Sequence, residues 1–316
     1  MTVDKIGEFG LIEQIKSRFA VPVGVEGIGD DCAILPQQEG RDTLVSTDLL
    51  VEGVHFLRND IPPQLLGWKS AAVNLSDIAA MGGSPIGTFL SIALPHNVEA
   101  HWVEQFLDGY KEISDIFNTP LLGGDTTSSI DKICINVGVL GETLRGHSKK
   151  RSMAQIGDFV CVTGCLGDSA CGLQIVLNHV ERHADEKHLV ERHYRPVPRV
   201  EMGLQLAQNN AVHAMMDISD GIGSDLNHIL KASKVGAAVD VERIPLSVEM
   251  QRVCKMQGWN PLDLAIGGGE DYELLFTASR DAILPEGCAV IGEITNEASG
   301  LVWVNASKNY KGFCHF

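Results

Sequence analysis

Apolar positions along the chain alternate between two periods, and the switches mark the elements. Phe9 to Phe19 repeats apolar residues every three to four positions and predicts a helix. Short alternating runs at Asp31–Leu35 and Thr43–Asp48 predict strands, each bordered by an acidic turn. A longer helical stretch, about Pro63 to Met81, opens on Pro62-Pro63 and closes on Gly82-Gly83. Gly87–Leu94 predicts a strand, His101–Ile116 an amphipathic helix, and Cys134–Gly141 another strand, while Leu121–Gly123 leads into a Gly-Gly-Asp turn. After a polar stretch the pattern restarts: strand Asp158–Gly164, helix Gly167–Asn178, a polar segment Glu181–Arg192, strand Ala211–Ile218, and helix Ser224–Ala232 with Ser224 as its cap. Leu264–Tyr272 carries a glycine loop, Glu273–Thr277 is a strand, and Gly287–Ile294 with Gly300–Val304 reads as a closing pair. Both halves mix strands with helices, which predicts an α/β protein of the α+β type built as two mixed-sheet domains.

Length supports that division, because 316 residues exceed what one core usually serves. Glu142 to Gln155 is polar and basic and reads as the interdomain connection, mostly solvated, placing the domains at 1–142 and 143–316. Hydrophobic content of 44% with 21% charged residues fits a soluble, well-cored chain. A formal net charge of −16 argues against a nucleic-acid partner, which calls for a basic surface. No apolar run reaches membrane-spanning length, so no membrane partner is expected. Eight cysteines at irregular spacing, mostly in apolar settings, read as small buried residues of a reducing cytoplasm rather than a zinc site. His179, His183, His188 and His193 fall in the polar segment and read as a wet helix face.

The candidate chemistry lies in five acidic turns set among glycine, serine and threonine. They are Gly-Ile-Gly-Asp30-Asp31, Ser46-Thr47-Asp48, Asn74-Leu-Ser76-Asp77, Gly123-Gly124-Asp125-Thr126-Thr127 and Asp217-Ile-Ser219-Asp220-Gly221. Each alone is an ordinary loop. Five together suggest a fold that gathers carboxylates, and carboxylates that close repel unless cations sit among them. Mg²⁺ suits such a set, since it takes a few carboxylates, waters and substrate phosphates. Asp77 stands among Leu75, Ile78, Ala79 and Ala80, so its charge needs a partner. No G-x-x-x-x-G-K-[ST] loop is present, so phosphate chemistry would run on another scaffold. Arg151 is the basic residue suited to clamp a phosphate bidentately.

In series, Gly-Ile-Gly-Asp30-Asp31-Cys-Ala, Ser46-Thr47-Asp48 with Glu52-Gly-Val-His55-Phe, Asn74-Leu-Ser-Asp77-Ile-Ala-Ala-Met-Gly, Gly-Gly-Asp125-Thr-Thr, Asp217-Ile-Ser219-Asp220-Gly and Gly-Gly-Glu270-Asp-Tyr-Glu-Leu resemble the thiamine-monophosphate kinases, a branch of the aminoimidazole-ribonucleotide-synthetase-like superfamily. The resemblance runs from about Glu8 to the C-terminus. It implies two mixed-sheet domains with the active site in the cleft between them, and a homodimer joined through the N-terminal sheets. It further implies direct transfer of the ATP γ-phosphate to thiamine monophosphate with several Mg²⁺ ions. Carried over by position, Asp31, Ser46, Thr47, Asp48, Asp77, Asp125, Asp217 and Asp220 would hold metal. Gly124, Asp125, Arg151 and Ser219 would contact ATP, and His55, Glu270 and Tyr310 the acceptor. Tyr310 stands where a Trp is common in the family, and Gly83 and Gly267 where Ala and Ser are usual. A selenophosphate-synthetase-like reading lacks the N-terminal cysteine it needs, and a hydrogenase-maturation-like one would rest on Cys314 alone.

Overall fold

The computed structural model describes residues 24, 30, 32–36, 40–310 and 312. In the first half, β1 (Ala33–Pro36), β2 (Arg41–Val51), β3 (Ser84–Pro95), β4 (Leu121–Ser129) and β5 (Cys134–Leu144) form one mixed sheet in the order β1-β2-β5-β3-β4. Among the described residues of this sheet, only β3 and β4 run parallel. Alternation decides which face is covered. Leu44 and Leu50 of β2, Leu90 and Ile92 of β3, and Ile135, Val137 and Val139 of β5 are buried against helix α1 (Pro63–Ala80). Helix α2 (Ala100–Ile116) packs on α1 in turn. The opposite face of the sheet is open, with Leu49 55% and Phe89 42% exposed.

The second sheet holds β6 (Phe159–Thr163), β7 (Val212–Asp217), β8 (Val235–Asp240), β9 (Leu274–Ala278), β10 (Cys288–Asn296) and β11 (Leu301–Val304), ordered β11-β8-β10-β6-β9-β7. Among the described residues six helices accompany it: α3 (Asp168–Leu177), α4 (Ala184–Tyr194), α5 (Val200–Gln208), α6 (Ile222–Ser233), α7 (Val248–Gln257) and α8 (Pro261–Gly267). Its strands β6, β7 and β9 are buried on both faces, which explains why Leu274–Ala278 shows no alternation. Cys161, Met215 and Phe276 face a core continuous with the first half, while Val160, Val162, Ala214 and Met216 face a second core.

Helix α1 is the hinge of this arrangement. It is apolar or small nearly all round and buried from Leu66 to Ser76 and from Ile78 to Ala80, as a helix enclosed by protein must be. Small residues let its neighbours approach: a Cβ on Gly109 would lie 1.8 Å from the Gln64 carbonyl oxygen, and one on Gly203 2.2 Å from that of Ala79. The first contact seats α2 on α1, the second seats α5, so one helix is clamped from both halves. Arg195 adds a further tie, its guanidinium 4.0 Å above the Trp68 ring while its Nη2 donates to Glu112 at 2.6 Å.

Several expectations need correction. Gly123 to Thr127 is not a turn but part of the edge strand β4. Ser224 lies inside the first turn of α6, whose N-cap is Gly221. β10 and β11 do not pair with each other, because β8, a small-residue strand absent from the sequence reading, lies between them. The basic connection is only partly solvated: Lys149 is buried, its Nζ donating to the carbonyls of Val212 at 2.7 Å and Asn209 at 3.2 Å. The helix expected at residues 9–19, together with Asp31 and Cys314, lies outside the described residues.

Candidate active site

The strand ends and α1 converge on a cleft of about 790 Å³ between the two sheets. Lining one end are Asp30, Ser46, Asp48, Asp77, Arg151, Asp217, Ser219 and Asp220. Adjacent turns of two elements bring the acids together. Ser46 and Asp48 point from the covered face of β2 onto α1, where the Ser46 hydroxyl donates to Asp77 Oδ2 at 2.5 Å. The Asp48 amide donates to the Asn74 side chain at 3.1 Å. From the same helix, Ser76 donates to Asp217 Oδ2 at 2.6 Å, reaching the end of β7 in the other half. Arg151 is fixed at the mouth by its backbone: its N–H donates to Asp30 Oδ1 at 2.8 Å, and its carbonyl accepts from Ser233 of α6 at 2.7 Å.

Beneath Asp220 lies Asp225, which the sequence reading did not single out. Its Oδ2 accepts the Asp220 N–H at 3.2 Å. Burial, then the charges of Asp220 and Asp217, push its carboxyl well above the usual range.

The other end of the cleft is apolar, walled by Val54, Phe56, Leu57, Ile61, Leu173 and Leu177. Glu270 stands beside it. The Gly267-Gly268-Gly269 run is pinned to the end of β7, the Glu270 N–H donating to the Ser219 carbonyl at 2.7 Å, and Glu270 itself takes a left-handed φ of 63°. Its carboxylate Oε2 lies 3.0 Å from Lys69 Nζ and 3.3 Å from His193 Nδ1. Burial opposes its charge, yet Lys69, His193 and His55 together hold the carboxyl below its ordinary value. His193 is driven the other way, down to about 3, chiefly by burial and then by the Lys69 ammonium. The imidazole is therefore neutral at physiological pH. His55 accepts the Val51 N–H at Nδ1 over 3.0 Å, so its neutral form carries the proton on Nε2.

The cleft thus collects Ser46, Asp48, Asp77, His55, Arg151, Asp217, Ser219, Asp220 and Glu270. It does not collect Thr47, Gly124, Asp125 or Tyr310. Thr47 projects from the open face of its sheet, accepting from Asn136 at 2.8 Å. Strand register aligns Leu49, Asn136, Ser91 and Asp125 in one row across that open face. Tyr310 packs in the second core, edge-on to Trp303 with ring centroids 5.7 Å apart. Lys69 and His193 were missed by sequence reading. Lys69 had a signal, since it lies two helical turns before Asp77 and so on the same face of α1. His193 was read as solvated, yet α4 turns it into the cleft and buries it.

Among the described residues no three carboxylate, imidazole or thiolate groups are close enough to hold a metal ion unaided. The groups lining the acidic part of the cleft are carboxylates and hydroxyls, the oxygen donors that Mg²⁺ takes together with water and phosphate oxygens. Asp77 and Asp217 each accept a serine hydroxyl hydrogen bond.

Two sheets joined around a shared helix, with acidic strand ends facing an apolar pocket, match the AIR synthase related proteins: the N-terminal domain profile covers residues 29–143 and the C-terminal one residues 155–305. The chain is 40% identical to the thiamine-monophosphate kinase of Salmonella typhimurium, with 98% of each covered. It is 39% identical to that of Aquifex aeolicus, with 100% of each covered. The structure of AaThiL complexed with AMPPCP and TMP matches with a TM-score of 0.92 at 38% identity, covering 100% of this chain and 99% of that one. This chain belongs to the thiamine-monophosphate kinase family.

Proposed function

We propose that this chain transfers the γ-phosphate of ATP directly to the phosphate of thiamine monophosphate, giving thiamine diphosphate and ADP. The observation that carries the reading is the two-ended cleft, with carboxylates, hydroxyls and Arg151 at one end and Glu270 on an apolar wall at the other. The first end suits Mg²⁺-bound polyphosphate and the second a flat, partly cationic heterocycle. Asp48, Asp77, Asp217 and Asp220, with Ser46, are the groups that would hold Mg²⁺, which when bound neutralises the charge of the two phosphate chains. Arg151 takes phosphate oxygens bidentately, and Ser219 donates a hydroxyl hydrogen bond. His55 offers its Nε2–H and Glu270 its carboxylate to the acceptor. The attacking group is already an anionic phosphate, so the site needs alignment and charge neutralisation more than a general base.

The open face of the first sheet supports a homodimer. It presents Leu49 and Phe89 to water beside the fully exposed edge strand β4, a surface that a second copy would cover. We place Thr47, Gly124 and Asp125 in the partner's site across that interface: Thr47 and Asp125 lie on this face, Gly124 is the exposed β4 residue just before Asp125, and none of the three lines its own chain's cleft. Complementation tests both ideas. Asp48→Asn and Asp125→Asn chains should each be inactive alone with Mg²⁺, ATP and thiamine monophosphate. Mixed after dissociation and reassociation, they should regain activity, because one site of each hybrid dimer is intact. Two inactive variants whose mixture stays inactive would refute the shared site, and wild-type protein without acceptor-dependent ADP formation would refute the function.

A further inference from the structure

Lys69 is a lysine on a helix that, apart from Asn74, otherwise buries apolar and small residues, and its side chain is 1% exposed. An ammonium there is costly unless paired, and an apolar residue of similar volume would serve packing as well or better. Its partner is not structural filler. Glu270 lies in the opposite half of the molecule, at the acceptor end of the cleft, with its side chain 26% exposed. A glutamate held at φ 63° is a strained backbone position, of the kind retained where geometry matters to a site.

The contacts distinguish the two carboxylate oxygens. Lys69 Nζ and His193 Nδ1 both reach Oε2, at 3.0 and 3.3 Å. The same His193 nitrogen hydrogen-bonds the Ser169 hydroxyl at 3.0 Å, which fixes the imidazole edge against Oε2. Oε1 takes no hydrogen bond from the described residues. One oxygen is thus clamped by a residue from each half of the protein, and the other is left for a ligand. Lys69, Ser169, His193 and Glu270 all line the cleft.

We propose that Lys69 and His193 are positioning residues that clamp Oε2 of Glu270 so that Oε1 meets an N–H donor on the acceptor's heteroaromatic ring. Resting on the function proposed above, this assigns recognition of the aminopyrimidine end of thiamine monophosphate to a clamp that forms only when α1 and the Gly267–Glu270 loop are together. Acceptor selection is thereby coupled to the seating of one half on the other.

The test is steady-state kinetics of the full-length protein with ATP and thiamine monophosphate. Lys69→Met, which keeps length and removes charge, should raise KM for thiamine monophosphate about tenfold or more, as expected for misaligning one charge-assisted hydrogen bond. KM for ATP should stay within about twofold, a split that general loosening of the fold would not give. Lys69→Met with both KM values unchanged, in an otherwise active enzyme, would overturn the clamp while leaving the function standing. Wild-type protein inert toward thiamine monophosphate would instead overturn the function and the clamp with it. If Lys69→Met fails to fold because Glu270 is left as a lone charge, Lys69→Met with Glu270→Gln removes both charges. That double variant should match Glu270→Gln alone in KM for thiamine monophosphate, since Lys69 acts through Glu270. A further rise beyond Glu270→Gln would show that Lys69 acts independently and would overturn the proposal.

Discussion

Replacing Ser76 with alanine removes one oxygen from the seam between the two halves. That hydroxyl donates to Asp217 Oδ2 at 2.6 Å, and both residues are buried, Ser76 at 0% and Asp217 at 3% exposure. The carboxylate would keep its charge and lose a donor that water cannot readily replace. Hydrogen bonds to charged groups contribute about 1.5–3 kcal/mol, and leaving one partner unsatisfied costs at the upper part of that range. For a chain of 316 residues that corresponds to a fall in thermal midpoint of about 2–5 °C. The steric term is small, because a hydroxyl-sized gap holds too little volume for a large cavity penalty. Function should shift as well: Asp217, no longer oriented from α1, should need a higher Mg²⁺ concentration for half-maximal turnover. Differential scanning calorimetry and a Mg²⁺ titration of activity measure the two effects on one preparation. A midpoint within about 1 °C of wild type together with an unchanged Mg²⁺ dependence would refute the view that this bond organises the acidic end of the cleft.

Asp77→Asn should lower kcat by about 100-fold or more while leaving the metal-free protein as stable as wild type or more so, because it relieves repulsion among clustered carboxylates; near-normal turnover at moderate Mg²⁺ would contradict the assignment. Phe89→Glu should convert a dimer in sedimentation velocity to a folded monomer with reduced activity, and a wild-type monomer would contradict the interface. His193 should make stability sensitive to acid. Its pKa is about 3 folded against an ordinary 6.5 unfolded, so between those values the unfolded chain binds the extra proton. Its contribution to stability is therefore complete above pH 6.5 and is lost as pH falls, at up to about 1.4 kcal/mol per pH unit. In thermal melts from pH 7 to 4, His193→Asn should lose less stability than wild type, and parallel curves would contradict the burial argument.

What the sequence could reveal depended on how local the signal was. Helix α1, bounded by Pro62-Pro63 and Gly82-Gly83, and the delivery of Asp217 at the end of β7 followed from periodicity and punctuation. Asp77 was legible as a carboxylate needing partners, and Ser46 supplies one. β8 was not legible, because Val-Gly-Ala-Ala-Val lacks the bulky alternation that marks a strand and owes its place to neighbours on both sides. Gly123 to Thr127 has the composition of a turn, and only pairing with β3 extends it; a Cβ on Gly124 would lie 1.7 Å from the Leu90 carbonyl oxygen. The face on which Asp125 lies is set by register against Ser91, a relation between distant segments that no local pattern encodes. The Lys69–Glu270–His193 cluster joins residues up to 201 positions apart, and a polar helix gave no hint that one of its histidines would turn inward.

On the function proposed above, the terminal phosphate of ATP ends on the phosphate of thiamine monophosphate without passing through the protein. Incubating the chain with γ-labelled ATP, Mg²⁺ and thiamine monophosphate, and following the label by quenched chromatography, tests it most directly. Label is expected in the β-phosphate of thiamine diphosphate in one-to-one ratio with ADP, with none on denatured protein when the acceptor is omitted. Label released as inorganic phosphate regardless of acceptor, or bound stoichiometrically to the chain, would contradict it.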